Sequence, residues 1–196
     1  MLTAHDAAAV IGTPRLELTP LREADSTELA VVLGDERLHE FIGGRPLGRD
    51  ELRDRFRALA AGSGRADELW LNWIIRLRPT GEAAGTVQAT MTVTSTGQAA
   101  SSGTDTVLAA SSGTGTELAA SVAWVVGTAW QGRGFAAESA IALVAWLRAG
   151  GVRTITACIH PLHHASERVA ERAGLTQTDD EVDGERVWVL RPVPVS

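Results

Sequence analysis

The sequence predicts one α/β (α+β) domain, and three observations carry the prediction. Apolar residues alternate with polar ones in several short runs, as half-buried strands require. They recur at helical spacing in others, and the two kinds of run are interleaved along the chain. At 196 residues, 44% of them hydrophobic, the chain is long enough to bury one core without disulfides or structural metals. No linker divides it.

Residues 1–14 are expected to be a frayed lead-in. Ala7 to Ile11 is apolar but far shorter than the roughly 20 residues of a membrane span, and no basic leader precedes it. From Arg15 to Leu21, Leu16 and Leu18 share one side and predict a strand. Asp25 and Ser26 offer N-cap chemistry, and Leu29, Val32 and Leu33 recur at helical spacing before Gly34. After the breakers Gly43, Gly44 and Pro46, the stretch Asp50 to Ala61 repeats Leu52, Phe56 and Leu59 on one face of a second helix. Leu69 to Leu77 and Gly85 to Val93 alternate as strands, joined through the turn residues Arg78-Pro79-Thr80-Gly81. Ala119 to Val126 is a third strand. Arg133 to Arg148 is a helix with Ala136, Ala140, Leu143, Val144 and Leu147 inward, stopped by Gly150-Gly151. Val152 to Ile159 predicts a strand, and a helix runs from beyond Pro161 to Ala173 with Val169 inward. Strands near Leu175 to Thr178 and Val187 to Leu190 close the chain around Val182-Asp183-Gly184-Glu185.

Residues Ala99 to Leu108 (AASSGTDTVL) and Ala109 to Leu118 (AASSGTGTEL) are a tandem duplication. Such a density of Ser, Thr, Gly and Ala buries little surface, so residues 96–118 are expected to be an insertion between strands. The alternative is a projecting hairpin that touches substrate or a second copy of the chain, which keeps a homodimer among the expected partners.

Charge excludes some functions. A formal net charge of −6 opposes a duplex-binding surface, which needs clustered cations, so no nucleic-acid partner is expected. No membrane partner is expected either. The single cysteine, Cys158, cannot form an internal bridge and fits a reducing, cytoplasmic setting. The sequence contains no Lys and no Tyr, so every basic side chain except His is Arg and no mechanism can use a phenol.

The chemistry concentrates at Trp130-Gln131-Gly132-Arg133-Gly134-Phe135-Ala136-Ala137-Glu138, where an apolar strand passes into an amphipathic helix. Glycines at 132 and 134 let the backbone approach an anion, and the unpaired N–H groups of the first helical turn point at it. Arg133 adds a charge at the rim. The same letters fit the dinucleotide fingerprint Gly-x-Gly-x-x-Ala, but that motif follows the first strand and is answered by an acidic residue ending the next. Here it comes late, and the following strand ends in Cys158-Ile159-His160. An oxidoreductase reading rests on the glycines alone. Cys158, His160, His163 and His164 crowd together, but their spacing matches no metal site; no metal is expected.

Val122-Ala123-Trp124-Val125-Val126, then Gln131 to Ala136, His160-Pro161, Ala165-Ser166 and Gly174-Leu175 together resemble the GNAT acetyltransferase superfamily, in particular its RimJ/RimL branch. Arg15-Leu16-Glu17-Leu18-Thr19-Pro20-Leu21-Arg22 fits the same branch, so the likeness runs from about Arg15 to Leu190. The resemblance implies a mixed, strongly bent sheet splayed between the strand ending near Val126 and the one ending near Ile159. It implies acetyl-CoA as cosubstrate, with its pantetheine arm against the backbone of Trp124, Val125 and Val126 and its pyrophosphate on Gln131, Gly132, Arg133, Gly134, Phe135 and Ala136. The implied activity is N-acetyl transfer to a primary amine, either a protein N-terminal α-amine or an amine of a small molecule such as an antibiotic. A main-chain N–H at Val125 or a neighbour would polarise the thioester carbonyl.

The general acid of the family is commonly a tyrosine; in this branch a serine serves, and Ser166 holds that place. His163 stands where the branch has an asparagine and is a candidate proton relay. Ser121 replaces an acidic residue common on the central strand, which leaves the general base unassigned. Glu138 is expected to complement the helix N-terminus. The alternative function is a catalytically degenerate GNAT-fold CoA-binding or regulatory module.

Overall fold

The structure, a computed structural model, describes residues 9–95 and 116–191. In chain order the elements are β1 (Ile11–Gly12), β2 (Leu16–Pro20), α1 (Ser26–Val32), α2 (His39–Ile42), α3 (Arg49–Ala61), β3 (Glu68–Leu77), β4 (Ala83–Ser95), β5 (Thr116–Val126), α4 (Phe135–Ala149), β6 (Thr154–Ile159), α5 (His164–Arg172), β7 (Thr176–Val182) and β8 (Glu185–Leu190). The strands form one eight-stranded open sheet in the order β1-β2-β3-β4-β5-β6-β8-β7. Every pairing is antiparallel except β5 with β6. The mixed α/β sheet flanked by helices that the sequence predicts is therefore present.

Strand parity divides the helices between two faces. On β3, Ile74 faces one way and joins Leu21, Leu29, Val32, Leu52 and Phe56 under α1 and α3. Its neighbours Trp73 and Ile75 face the other way and join Leu16, Leu18, Leu143 and Leu147 under α4. Each wholly buried Leu or Ile here contributes about 2 kcal/mol of transfer free energy. Trp146 of α4 meets Trp73 edge-on, with ring centroids 5.3 Å apart.

Several boundaries differ from the sequence reading. Within the expected lead-in, Ile11 and Gly12 pair with Leu18 and Glu17, and Trp73 Nε1 donates to the Ala9 carbonyl at 2.8 Å. The core claims Ile11, and a strand of two residues has too short a period to be read from sequence. Residues 116–118, placed with the insertion, instead extend β5 opposite Ser95, Thr94 and Val93. The rest of the insertion, residues 96–115, lies outside the described residues. α4 starts at Phe135 rather than Arg133, because Gly134 adopts φ 80° and ψ 8° and breaks the helical path.

Candidate active site

β5 pairs with β4 along its whole length, from Thr116 to Val126. With β6 it pairs only through Ala119, Ala120 and Ser121. Beyond those three rungs the strands part, and β6 from Ala157 to Ile159 keeps only β8 as a partner. This is the expected splay. Amides alternate in direction along an antiparallel strand, and Gly127 N–H bonds back to Ala84 C=O. The amides of Trp124 and Val126 therefore face the gap, while that of Val125 faces β4. Gln131 Nε2 already donates to the Val126 carbonyl at 3.0 Å, which turns the Val126 N–H into the natural donor at the gap's inner end.

The turn after β5 leads into α4 through Gly132 at φ 75° and Gly134 at φ 80°. A Cβ on Gly132 would meet nothing within 4 Å, so the left-handed backbone, not crowding, calls for glycine there. The first helical N–H accepted within the fold is that of Glu138, by Gly134 C=O at 3.0 Å. Among the described residues the N–H groups from Gly132 to Ala137 have no acceptor. Together with the helix dipole they make an anion cradle.

Glu138 secures this turn. Its carboxylate accepts from Thr13 Oγ1 at 2.6 Å, Arg15 N–H at 2.9 Å and Arg15 Nε at 2.6 Å. Burial raises the carboxyl's pKa, but the bonds from Thr13 and Arg15 outweigh it and hold the group below its usual value. Arg15 also donates to the Arg133 carbonyl at 3.0 Å and lies 4.9 Å from the centre of the Phe135 ring. Glu138 thus complements the helix end, as expected, and in addition binds a strand 123 residues away in sequence. The Arg133 side chain lines a separate small cavity with Pro14, Arg15 and Arg78, not the main cleft.

That cleft has a volume of about 1270 Å³ and is lined by Trp124, Val125, Val126, Gln131, Gly132, Gly134, Phe135, Ala136, His163 and Ser166 among others. The gap connects its two halves, one on each face of the sheet. On the α4 face, Trp124 Nε1 donates to Ser166 Oγ at 3.3 Å. With one lone pair so occupied, the Ser166 O–H is left to donate elsewhere. His163 caps α5: its Nδ1 accepts from Ser166 N–H at 3.0 Å. Burial, with the neighbouring His160 assisting, pushes the His163 pKa down despite bonds and carboxylates that pull it up. The ring is neutral at pH 7 with its proton on Nε2. Phe41 of α2 stands edge-on to it at 4.4 Å and closes the side of the cleft.

On the α1–α3 face, parity sets Asn72, Gln88 and Ala123 in one rung across β3, β4 and β5. Beyond the gap the same face carries Cys158 and, through the pair Cys158↔Val187, Glu185. Cys158 is exposed. Burial and the carboxylates of Glu185 and Asp183 push its thiol pKa up, so it is a neutral thiol at pH 7. The sequence reading missed Phe41, Asn72, Gln88 and Glu185; period-two parity of their strands was the available signal for the last three. Among the described residues no group of three His, Cys, Asp or Glu side chains is placed to hold a metal ion, and no helix is long and apolar enough to cross a membrane.

The unpaired N–H cradle and the open edge of β5 fit a cofactor with a diphosphate and an extended, amide-bearing arm. When bound, such a cofactor supplies an activated acetyl thioester. Comparisons with known proteins agree. The profile of the acetyltransferase (GNAT) domain family matches residues 15–176. A GNAT-family acetyltransferase from Bacillus anthracis superposes with a TM-score of 0.67 at 13% identity, over 93% of this chain and 98% of that one. An acetyltransferase from Salmonella typhimurium described as modifying the N-terminal serine of ribosomal protein L7/L12 gives 0.65 at 16%, over 94% and 100%. The aminoglycoside acetyltransferase AAC(6')-Ib in complex with coenzyme A gives 0.64 at 21%, over 90% and 94%. No curated protein sequence matches the chain. The profile match across most of the chain, on a sheet opened between β5 and β6 beside an unpaired helix N-terminus, means that the chain belongs to the GNAT acetyltransferase family, whose members draw on acetyl-CoA.

Proposed function

We propose that the protein transfers acetyl from acetyl-CoA directly to a primary amine. The observation that carries the reading is the junction of free N–H groups at Gly132–Ala137 with the free strand edge at Trp124 and Val126. Main chain grips both ends of the cofactor there, which leaves side chains free for the acceptor.

In this reading the amides of Val126 and Trp124 polarise the acetyl carbonyl, and Ser166 donates a proton to the departing sulfur. Ser166 suits that task because Trp124 occupies its acceptor side. His163 holds the first turn of α5, so a relay through it has to run by Nε2, since Nδ1 is committed to Ser166 N–H.

The acceptor is best matched by a molecule with one amine, such as a peptide α-amine. The cleft walls carry Arg37, Arg45, Arg55, Arg168 and Arg172 against only Glu40 and Glu185. A polycation such as an aminoglycoside would meet net repulsion there, even with Arg37 and Arg45 paired to Asp35 and Glu51. Release of CoA thiol is the test, with acetyl-CoA offered alongside peptides with free N-termini, simple alkylamines and aminoglycosides. Turnover of peptides or monoamines with slow aminoglycosides is expected; no thiol release with any amine removes the proposal in favour of a CoA-binding module.

A further inference from the structure

The diphosphate cradle at the start of α4 and Ser166, through its bond with Trp124, both lie on the α4 face of the sheet. In the acetyl-transfer reading the cofactor fills that half of the cleft, and the half under α1 and α3 is left for the acceptor. Its walls are apolar. Leu59 of α3 and Leu47, just before that helix, pack on the buried side chains of Leu52 and Phe56 yet stay partly exposed to the cleft. On α2, Phe41 is held edge-on against His163, and Ile42 is 53% exposed although it lines the cleft. The floor is neutral: Asn72, Gln88 and Ala123 share one rung of that face. Ala123 is exposed, and because its side chain ends at Cβ it leaves the way from this recess to the gap open. The charged neighbours Glu40, Arg45 and Arg55 are exposed at the rim, and Arg45 is already paired with Glu51.

Apolar surface left to water inside a concave site marks a place that a ligand covers. A second ammonium group would lose its hydration against these walls without gaining a carboxylate. A hydrocarbon group would displace the water at no such cost.

We infer that the acceptor carries an apolar chain or ring of several carbons beside its amine, and that Ile42, Leu47 and Leu59 hold this group in the recess while the amine stands at the gap. The assignment rests on the acetyl-transfer reading above and names its substrate class. A peptide whose first side chain is aliphatic or aromatic has this form. Ile42 and Leu47 are then specificity-determining residues, which touch the substituent and not the reacting atoms. Discrimination follows the number of methylenes that leave water, about fourfold in kcat/KM for each.

The test uses the full chain, acetyl-CoA and a ladder of straight-chain primary amines from ethylamine to hexylamine, whose basicity is nearly constant, with release of CoA thiol as the readout. The value of kcat/KM for the amine is expected to rise about fourfold per added methylene until the recess is full, while KM for acetyl-CoA stays constant along the ladder. Ile42→Ser should cut the ratio of the hexylamine to the ethylamine value about tenfold; a ratio taken within one preparation does not depend on the fraction of folded protein. Val31→Ser alters a side chain that is 82% exposed and outside the cleft, and should leave the ladder as in wild type. A wild-type ladder that is flat or falls with chain length, a ratio that Ile42→Ser leaves unchanged, or an equal fall in Val31→Ser overturns the recess while acetyl transfer stands. Wild-type protein that acetylates no amine of the ladder and no peptide overturns both.

Discussion

Glu138 holds Arg15 by a 2.6 Å ion pair that joins the first turn of α4 to the start of β2. The carboxylate is 15% exposed and the guanidinium 52%, so solvent screens the pair on one side and most of its value lies in the bonds to Thr13 and the Arg15 backbone. Glu138→Ala is expected to cost about 1–2 kcal/mol in denaturant unfolding, because it strips three donors of their acceptor. Acetyl-CoA binding should weaken several-fold as the turn loses its brace. The pH dependence follows from the bonds of Thr13 and Arg15, which hold the carboxyl's folded-state pKa below that of an ordinary glutamate. This stabilisation is complete above the unfolded-state pKa and is lost as pH falls below it. An unfolding series between pH 7 and pH 3 should therefore steepen less for Glu138→Ala than for wild type.

Gly134→Val should raise KM for acetyl-CoA by at least about tenfold. A β-branched residue at φ 80° is strained by roughly 1–2 kcal/mol, and its Cβ would stand 3.5 Å from Arg15. Gly132→Ala meets no neighbour and carries only the backbone strain, so its effect should be smaller. Equal effects in steady-state kinetics would separate the cradle from cofactor affinity.

Ser166→Ala should reduce kcat by about ten- to a hundredfold with KM for acetyl-CoA nearly unchanged, if the hydroxyl acts, as proposed, on the leaving sulfur rather than on ground-state binding. Trp124→Phe, which removes the indole donor and keeps the ring, should fall between this variant and wild type. Unchanged turnover in Ser166→Ala would remove it as the proton donor.

Alkylation of Cys158 by iodoacetamide should block transfer, because the thiol lines the cleft beside the gap between β5 and β6. The reaction should be slow at pH 7 and accelerate toward pH 10, as burial and the carboxylates of Glu185 and Asp183 raise the thiol pKa. Saturating CoA should slow it; labelling at an equal rate with and without CoA would place Cys158 outside the occupied cleft.

Gly85→Ala should destabilise the protein by about 1–3 kcal/mol or prevent folding. Its Cβ would collide with the Val125 carbonyl oxygen, the atom that the alternation along β5 turns toward β4. Chemical denaturation measures the loss.

The order of the longer strands and helices and the glycine turn before α4 were legible in the sequence because each rests on local signals. Leu52, Phe56 and Leu59 repeat at helical spacing, and Gly132 and Gly134 mark a left-handed path before a helix. Interactions between distant segments were not legible. Nothing in the spacing of Arg15 and Glu138 announces that they meet, and the stop of β5–β6 pairing after Ser121 is a backbone event that no side chain encodes. His163 read as a titrating side chain, whereas its ring accepts from the α5 backbone, a capping task for which sequence patterns look to Ser, Thr, Asp or Asn. Glu185 passed unnoticed because a carboxylate after Asp-Gly in a turn looks like solvated surface until the register of β6 with β8 assigns it a face.

Ser95 and Thr116 stand opposite each other in the outermost rung of β4 with β5. Two residues suffice to close a hairpin at such a rung, so everything between them is topologically optional: an Asn-Gly linker in place of residues 96–115, or a fluorescent tag spliced there, leaves each pairing where it is. β5 is eleven residues long, so its far end lies roughly 30 Å away at strand rise, which makes this rung a handle for immobilising or labelling the enzyme at a distance from its chemistry.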